Sequence, residues 1–124
     1  MLDRLRHEAA AWLAGINACT LASAGPAGVQ ATWVACLASG LRLYLLLPVT
    51  ADHLINIEAK GQVALAGEGW RLCGEAKCLD EEVSPWTVTR QPWQVVVQVI
   101  PDHLHLDGEG GQPSRSLDFA PLHP

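Results

Sequence analysis

Apolar positions in this chain fall mostly in short runs with the two-residue alternation of strands, and twice they take helical spacing instead. Leu2, Leu5, Ala9, Trp12 and Leu13 share one helical face, so the first fifteen residues read as an amphipathic helix ending near Gly15. Ala18–Ser23 (ACTLAS) is a short strand, and residues 24–28 (AGPAG) are a turn. Residues 29–38 (VQATWVACLA) and 41–47 (LRLYLLL) flank Ser39-Gly40, a hairpin signal. Pro48 ends the second run, because proline cannot donate to a ladder. Leu54 and Ile57 then mark one face of a second helix, with Thr50 as its expected N-cap.

Gln62–Gly67 and residues 70–79 follow as strands. In the latter, Leu72, Gly74, Ala76 and Cys78 take one face, and Arg71, Cys73, Glu75 and Lys77 the other. Gly74 inside the run predicts a bulge or a close backbone approach. Residues 80–93 hold Pro85 and Pro92 and read as a loop, with a turn of helix near Trp86. Residues 94–100 (QVVVQVI) are the clearest strand. Pro101 is expected to interrupt it, leaving residues 103–107 as a separate final strand. Six or seven strands with two helices predict a mainly β chain, an antiparallel barrel with a few short helices. Residues 1–107 form its single domain. Residues 108–124 are expected to be a mobile tail or a segment docking on a partner subunit.

At 124 residues and 49% apolar content the chain can bury a core. Its net charge of −5 and lack of a basic cluster exclude nucleic acid as the main partner. No apolar run reaches bilayer length, so no membrane is expected. The first residues read as a helix rather than a signal peptide, and four cysteines then predict reduced thiols in a cytoplasm. Neither Cys19 and Cys36 nor Cys73 and Cys78 have zinc-site spacing, so all four read as buried small apolar side chains. His103 and His105 share a strand face without a third ligand and read as solvated. Nothing in the chain resembles a nucleophile motif, a metalloprotease motif or a Gly-rich phosphate loop.

Three segments, in order, carry a resemblance: CTLASAGPAGVQATWV after the leading helix, LRLYLLLPVTADHLINIEAKGQVAL, and WRLCGEAKCLDEE. They resemble the pyridoxamine 5′-phosphate oxidase-like family of FMN-binding split barrels, antiparallel Greek-key barrels, over roughly Leu5 to Asp107. The resemblance implies a homodimer with FMN in a cleft at the subunit interface, and flavin-dependent oxidoreduction in which the cofactor supplies the redox chemistry. It places Thr32, Trp33 and Val34 beside the flavin ring. It places Leu47, Pro48, Thr50, Ala51, Asp52 and His53 at the phosphate.

The chain departs from that pattern where the phosphate would sit. The family implies hydroxyls near Leu47 and Ala51 and cations near Asp52 and His53. Here Asp52 would repel a phosphate, which leaves Thr50, His53 and the helix N-terminus to hold it. Arg42 and Lys60 are the nearest cations in sequence. The alternative is an altered-ligand or non-catalytic split-barrel dimer, binding haem, a deazaflavin or no cofactor. Read without the resemblance, Thr50 is an N-cap, His53 a solvated first-turn residue, and Trp33 a core or dimer contact.

Overall fold

The computed structural model describes residues 2–79, 92–108 and 113–118. The elements are α1 (Leu2–Leu13), β1 (Ala18–Ser23), β2 (Gln30–Ser39), β3 (Arg42–Pro48), α2 (Asp52–Ala59), β4 (Gln62–Gly67), β5 (Trp70–Cys78), β6 (Gln94–Leu106) and β7 (Arg115–Asp118). All strand pairs are antiparallel. The order β3-β2-β1-β4-β5-β6 closes on itself through β3–β6 pairing, giving a six-stranded barrel. Closure removes the unpaired edges that an open sheet of such apolar strands would expose.

Alternation decides what lies inside. Cys19, Leu21, Val34, Cys36, Leu43, Leu45, Leu47, Leu65, Leu72, Val97, Val99 and Leu104 point inward, and all are buried. From α1, Ala9 and Leu13 are buried, and Trp12 packs edge-on against Trp70 of β5, with ring centroids 5.3 Å apart. Ser39 pairs with Arg42, so the hairpin connection is Gly40-Leu41, one residue later than the sequence suggests. Gly40 takes φ +61°, the left-handed value that a two-residue turn with glycine first requires.

β6 corrects one expectation. It runs unbroken for 13 residues, through Pro101 to Leu106. Pro101 is accommodated because the register with β5 shifts there: Cys73 pairs with His103, and Gly74 with Pro101. Two residues of β5, Cys73 and Gly74, thus face three of β6, residues 101–103, and a bulge is one of the places where a strand interior tolerates proline. Gly74 serves the same spot, since a Cβ on it would stand 2.6 Å from the Ile100 carbonyl oxygen. Within the stretch expected to be a tail, residues 115–118 form β7, which pairs with β6 of the same chain through His103↔Asp118 and Leu106↔Arg115. The loop expected at residues 80–91, Trp86 included, lies outside the described residues.

Cys19 and Cys36 are buried as expected, but Cys73 and Cys78 are exposed. Cys73 stands on the outward face of β5 with Arg71 and Glu75, and Cys78 is that strand's last residue. Of the two strand histidines, His105 hydrogen-bonds Ser116 of β7 at 3.1 Å and lies 3.5 Å from the Asp107 carboxylate. Among the described residues, no helix is long and apolar enough to cross a membrane.

Candidate functional site

A cleft of about 420 Å3 opens between the outer side of β2, the end of β3 and the start of α2. Thr32, Trp33, Val34, Leu47, Pro48, Thr50, Asp52 and His53 all line it, joined by Ala51, Gln30, Ala35 and Leu46. Residues from positions 30 to 53 meet here because β2 and β3 are hairpin partners and Pro48 stops β3 at the rim. Ala51 N–H donates to the Pro48 carbonyl at 3.0 Å, turning the chain into α2.

The side chains do not all present themselves to the cleft. Val34 and Leu47 belong to the barrel interior. Trp33 alternates outward from Val34 and is 66% exposed, so it is neither core nor covered within this chain. Thr50 and Asp52 are exposed.

Thr50 is not the N-cap. That position belongs to Ala51, and no side chain caps the helix. The tight turn closed by the Pro48 carbonyl delays α2 by a residue, carrying the Thr50 hydroxyl away from the orphan amides.

His53 departs furthest from expectation. It is 3% exposed, and both ring nitrogens have partners inside the protein. Nδ1 lies 2.6 Å from the Ser23 hydroxyl and Nε2 lies 3.0 Å from the Thr32 hydroxyl. Burial holds its pKa below the ordinary value, against the opposing pull of the Asp52 carboxylate. A neutral, fully engaged imidazole is not a cationic phosphate donor.

Behind His53 lies Asn56, fully buried one turn on. Its Oδ1 accepts from Ala27 N–H at 2.9 Å, and its Nδ2 donates to the Gly28 carbonyl at 2.9 Å and to Ser23 Oγ at 3.1 Å. The buried face of α2 is therefore His53, Asn56 and Ile57, with Leu54 half-buried. Gly25 is needed beneath it, because a Cβ there would come within 2.8 Å of Asn56 Oδ1.

Sequence reasoning missed Ser23 and Asn56. The available signal was the three-residue spacing of His53 and Asn56, which puts two polar groups on a face otherwise bound for the core.

The electrostatics are simple. Among the lining residues Asp52 carries the only formal charge at neutral pH. Arg42 lies at the opposite end of β3, and Lys60 caps the far end of α2. The indole of Trp33 and the hydroxyl of Thr32 line this cleft on the β2 side. Around Pro48–His53 the cleft offers the Asp52 carboxylate, a neutral imidazole, the Thr50 hydroxyl and the uncapped start of α2 but no cation, a poor donor set for a phosphate dianion.

No family model and no curated protein matches the chain. Solved structures do. One is a Clostridium acetobutylicum protein related to general stress protein 26 of B. subtilis, of the pyridoxinephosphate oxidase family. Its TM-score is 0.70 at 9% identity, over 98% of this chain and 99% of that one. The chain has the pyridoxamine 5′-phosphate oxidase-like split-barrel fold. The split barrel also matches a heme binding protein from Mycobacterium smegmatis, with TM-score 0.65 at 16% identity, over 91% of this chain and 56% of that one. A third match is an F420 reductase, with TM-score 0.60 at 16% identity, over 75% and 93%. At these identities the likeness shows the split-barrel fold alone, and the matched proteins differ in the ligands their names give.

Proposed function

We propose that the protein is a homodimeric split barrel that binds a planar heteroaromatic ligand of the flavin class, gripping it by the ring system rather than by a phosphate. The observation that carries this is the charge of the cleft. Its ring end offers the exposed indole of Trp33 and the hydroxyl of Thr32, and its other end offers Asp52 and no cation. FMN-dependent oxidoreduction, which the family resemblance implies, would need a cation at residues 48–52, where the described lining residues place none.

Riboflavin and FMN share the ring system and differ at the phosphate, so a paired fluorescence titration separates the two grips. Riboflavin should bind at least as tightly as FMN. Asp52→Asn should tighten FMN by about tenfold and leave riboflavin unchanged, as expected for removing a like charge a few ångströms away in a partly wet site. FMN binding tighter than riboflavin, with Asp52→Asn inert, overturns the reading. A Soret band in protein purified without added cofactor would replace it with haem binding.

Dimerisation is supported by the apolar side chains left on the outside: Trp33, Leu37, Val49 and Trp93 are all between 38% and 66% exposed. Light scattering at micromolar concentration should give twice the chain mass, and a monomer mass would remove this part. A cytoplasmic setting goes with the four cysteines, all free thiols in this structure.

A further inference from the structure

The hydrogen bonds beneath α2 have a direction, and it can be followed to the wall of the cleft. Asn56 fixes the start. Its Oδ1 must be the oxygen, because it faces the Ala27 N–H, and its Nδ2 must be the nitrogen, because it faces the Gly28 carbonyl. Nδ2 therefore also donates to Ser23 Oγ, since an amide NH2 cannot accept.

Ser23 is 6% exposed. Among the described residues, the acceptor within reach of its own hydroxyl proton is His53 Nδ1, at 2.6 Å. With Nδ1 accepting, the neutral imidazole carries its proton on Nε2 and donates it to Thr32 Oγ1 at 3.0 Å. The opposite tautomer would place two donors on Ser23 Oγ and leave a buried hydroxyl proton without an acceptor, which costs free energy. Thr32 Oγ1 thus already accepts a bond from inside. Its own proton has no acceptor among the described residues, and its side chain lines the cleft.

We infer that Thr32 is a specificity-determining residue whose hydroxyl proton is left free for the cleft, so a ligand that places an acceptor, a carbonyl oxygen or a bare ring nitrogen, against β2 gains a hydrogen bond there. This rests on the proposed ligand class only for the choice of probe. The free proton itself is a property of the protein. The oxygen keeps one lone pair besides the one that His53 uses, so a ligand N–H at the same spot is accepted only by turning that proton aside. With the opposite tautomer the Thr32 proton would be spent on His53 Nε2, and the cleft would meet lone pairs alone.

Two measurements decide it. The first is a long-range proton–nitrogen correlation spectrum of the imidazoles at pH 7.5, with the His53 signals assigned by their loss in His53→Gln. A neutral ring with its proton on Nε2 is expected. A proton on Nδ1, or an imidazolium, overturns the inference whether or not any ligand binds. The second is riboflavin titration of Thr32→Ser and Thr32→Val. Serine should retain wild-type affinity and valine should lose about tenfold, the order expected for one hydrogen bond in a partly dry site. Equal affinity of valine and wild type overturns the inference. Failure of wild type to bind riboflavin, with the expected tautomer present, removes the proposed ligand class and leaves the donor at Thr32 standing.

Discussion

Two buried regions of this molecule are held by different physics. The barrel interior is apolar: Leu43, Leu45 and Leu47 of β3 face Val97 and Val99 of β6 and need only volume and burial. The patch under α2 is polar: Ser23, His53 and Asn56 are equally buried but need partners at fixed angles. Packing tolerates a change of shape at constant volume, whereas a directed hydrogen bond does not tolerate a change of donor. The first region closes the barrel, and the second pins α2 and the 24–28 turn into the arrangement that forms the cleft.

Truncation should injure both regions, and the interior most. Leu45→Ala removes a fully buried side chain and should cost about 2–5 kcal/mol in urea unfolding. Asn56→Ala leaves Ala27 N–H, the Gly28 carbonyl and Ser23 without their partner and should cost about 2–4 kcal/mol. The contrast sharpens when volume is kept. Leu45→Met should cost less than about 1.5 kcal/mol, while Asn56→Leu should cost as much as Asn56→Ala. Equal tolerance at both positions would erase the distinction.

Acid should distinguish the regions next. Burial depresses the His53 pKa in the folded state. The unfolded chain therefore takes up a proton at higher pH than the native one does. Stability from this group is fully present above the unfolded value of about 6.5 and falls as pH drops below it, at most about 1.4 kcal/mol per pH unit. Urea midpoints taken from pH 7.5 to 5 should fall more steeply in the wild type than in His53→Gln. Parallel profiles would mean that the imidazole charges without disturbing its neighbours.

Thiol labelling gives the smallest effect. Cys73 and Cys78 should react with a thiol reagent in the native protein, and Cys19 and Cys36 only after unfolding. A hydrogen bond with Cys36, and then burial, pushes the Cys19 thiol well above its usual range. Burial and the Glu58 carboxylate also raise Cys78, so its labelling should accelerate with alkaline pH. Four reactive thiols in the native state would mean that the interior opens readily.

The same division governs what could be read in advance. Strands β1 and β4 match the sequence pattern residue for residue, and β2, β3 and β5 to within one or two, because alternation is local. The nine candidate residues that the family resemblance names line one cleft. The Ser23–His53–Asn56–Thr32 network was not legible, because its bonds join positions 21 to 33 apart, and the local spacing of His53 and Asn56 marks a polar helix face without naming its partners. Thr50 misled because a hydroxyl before a helix pattern is an N-cap signal, and here the preceding turn shifts the helix. Pro101 misled because a proline looks like an end of a strand unless the partner's irregularity, at Gly74, is seen beside it.

The long strand β6 has a consequence for the order of assembly. Leu43 pairs with Val99, across nearly half the chain, so barrel closure waits for the last third of the polypeptide. During synthesis, β1 to β5 can meet as a sheet while β3 and β5 keep open edges, and β3 is an almost unbroken run of leucines. Until β6 arrives, that half-made sheet is a template for its own copies. Chains cut before Gln94 should therefore collect in inclusion bodies rather than survive as smaller soluble domains.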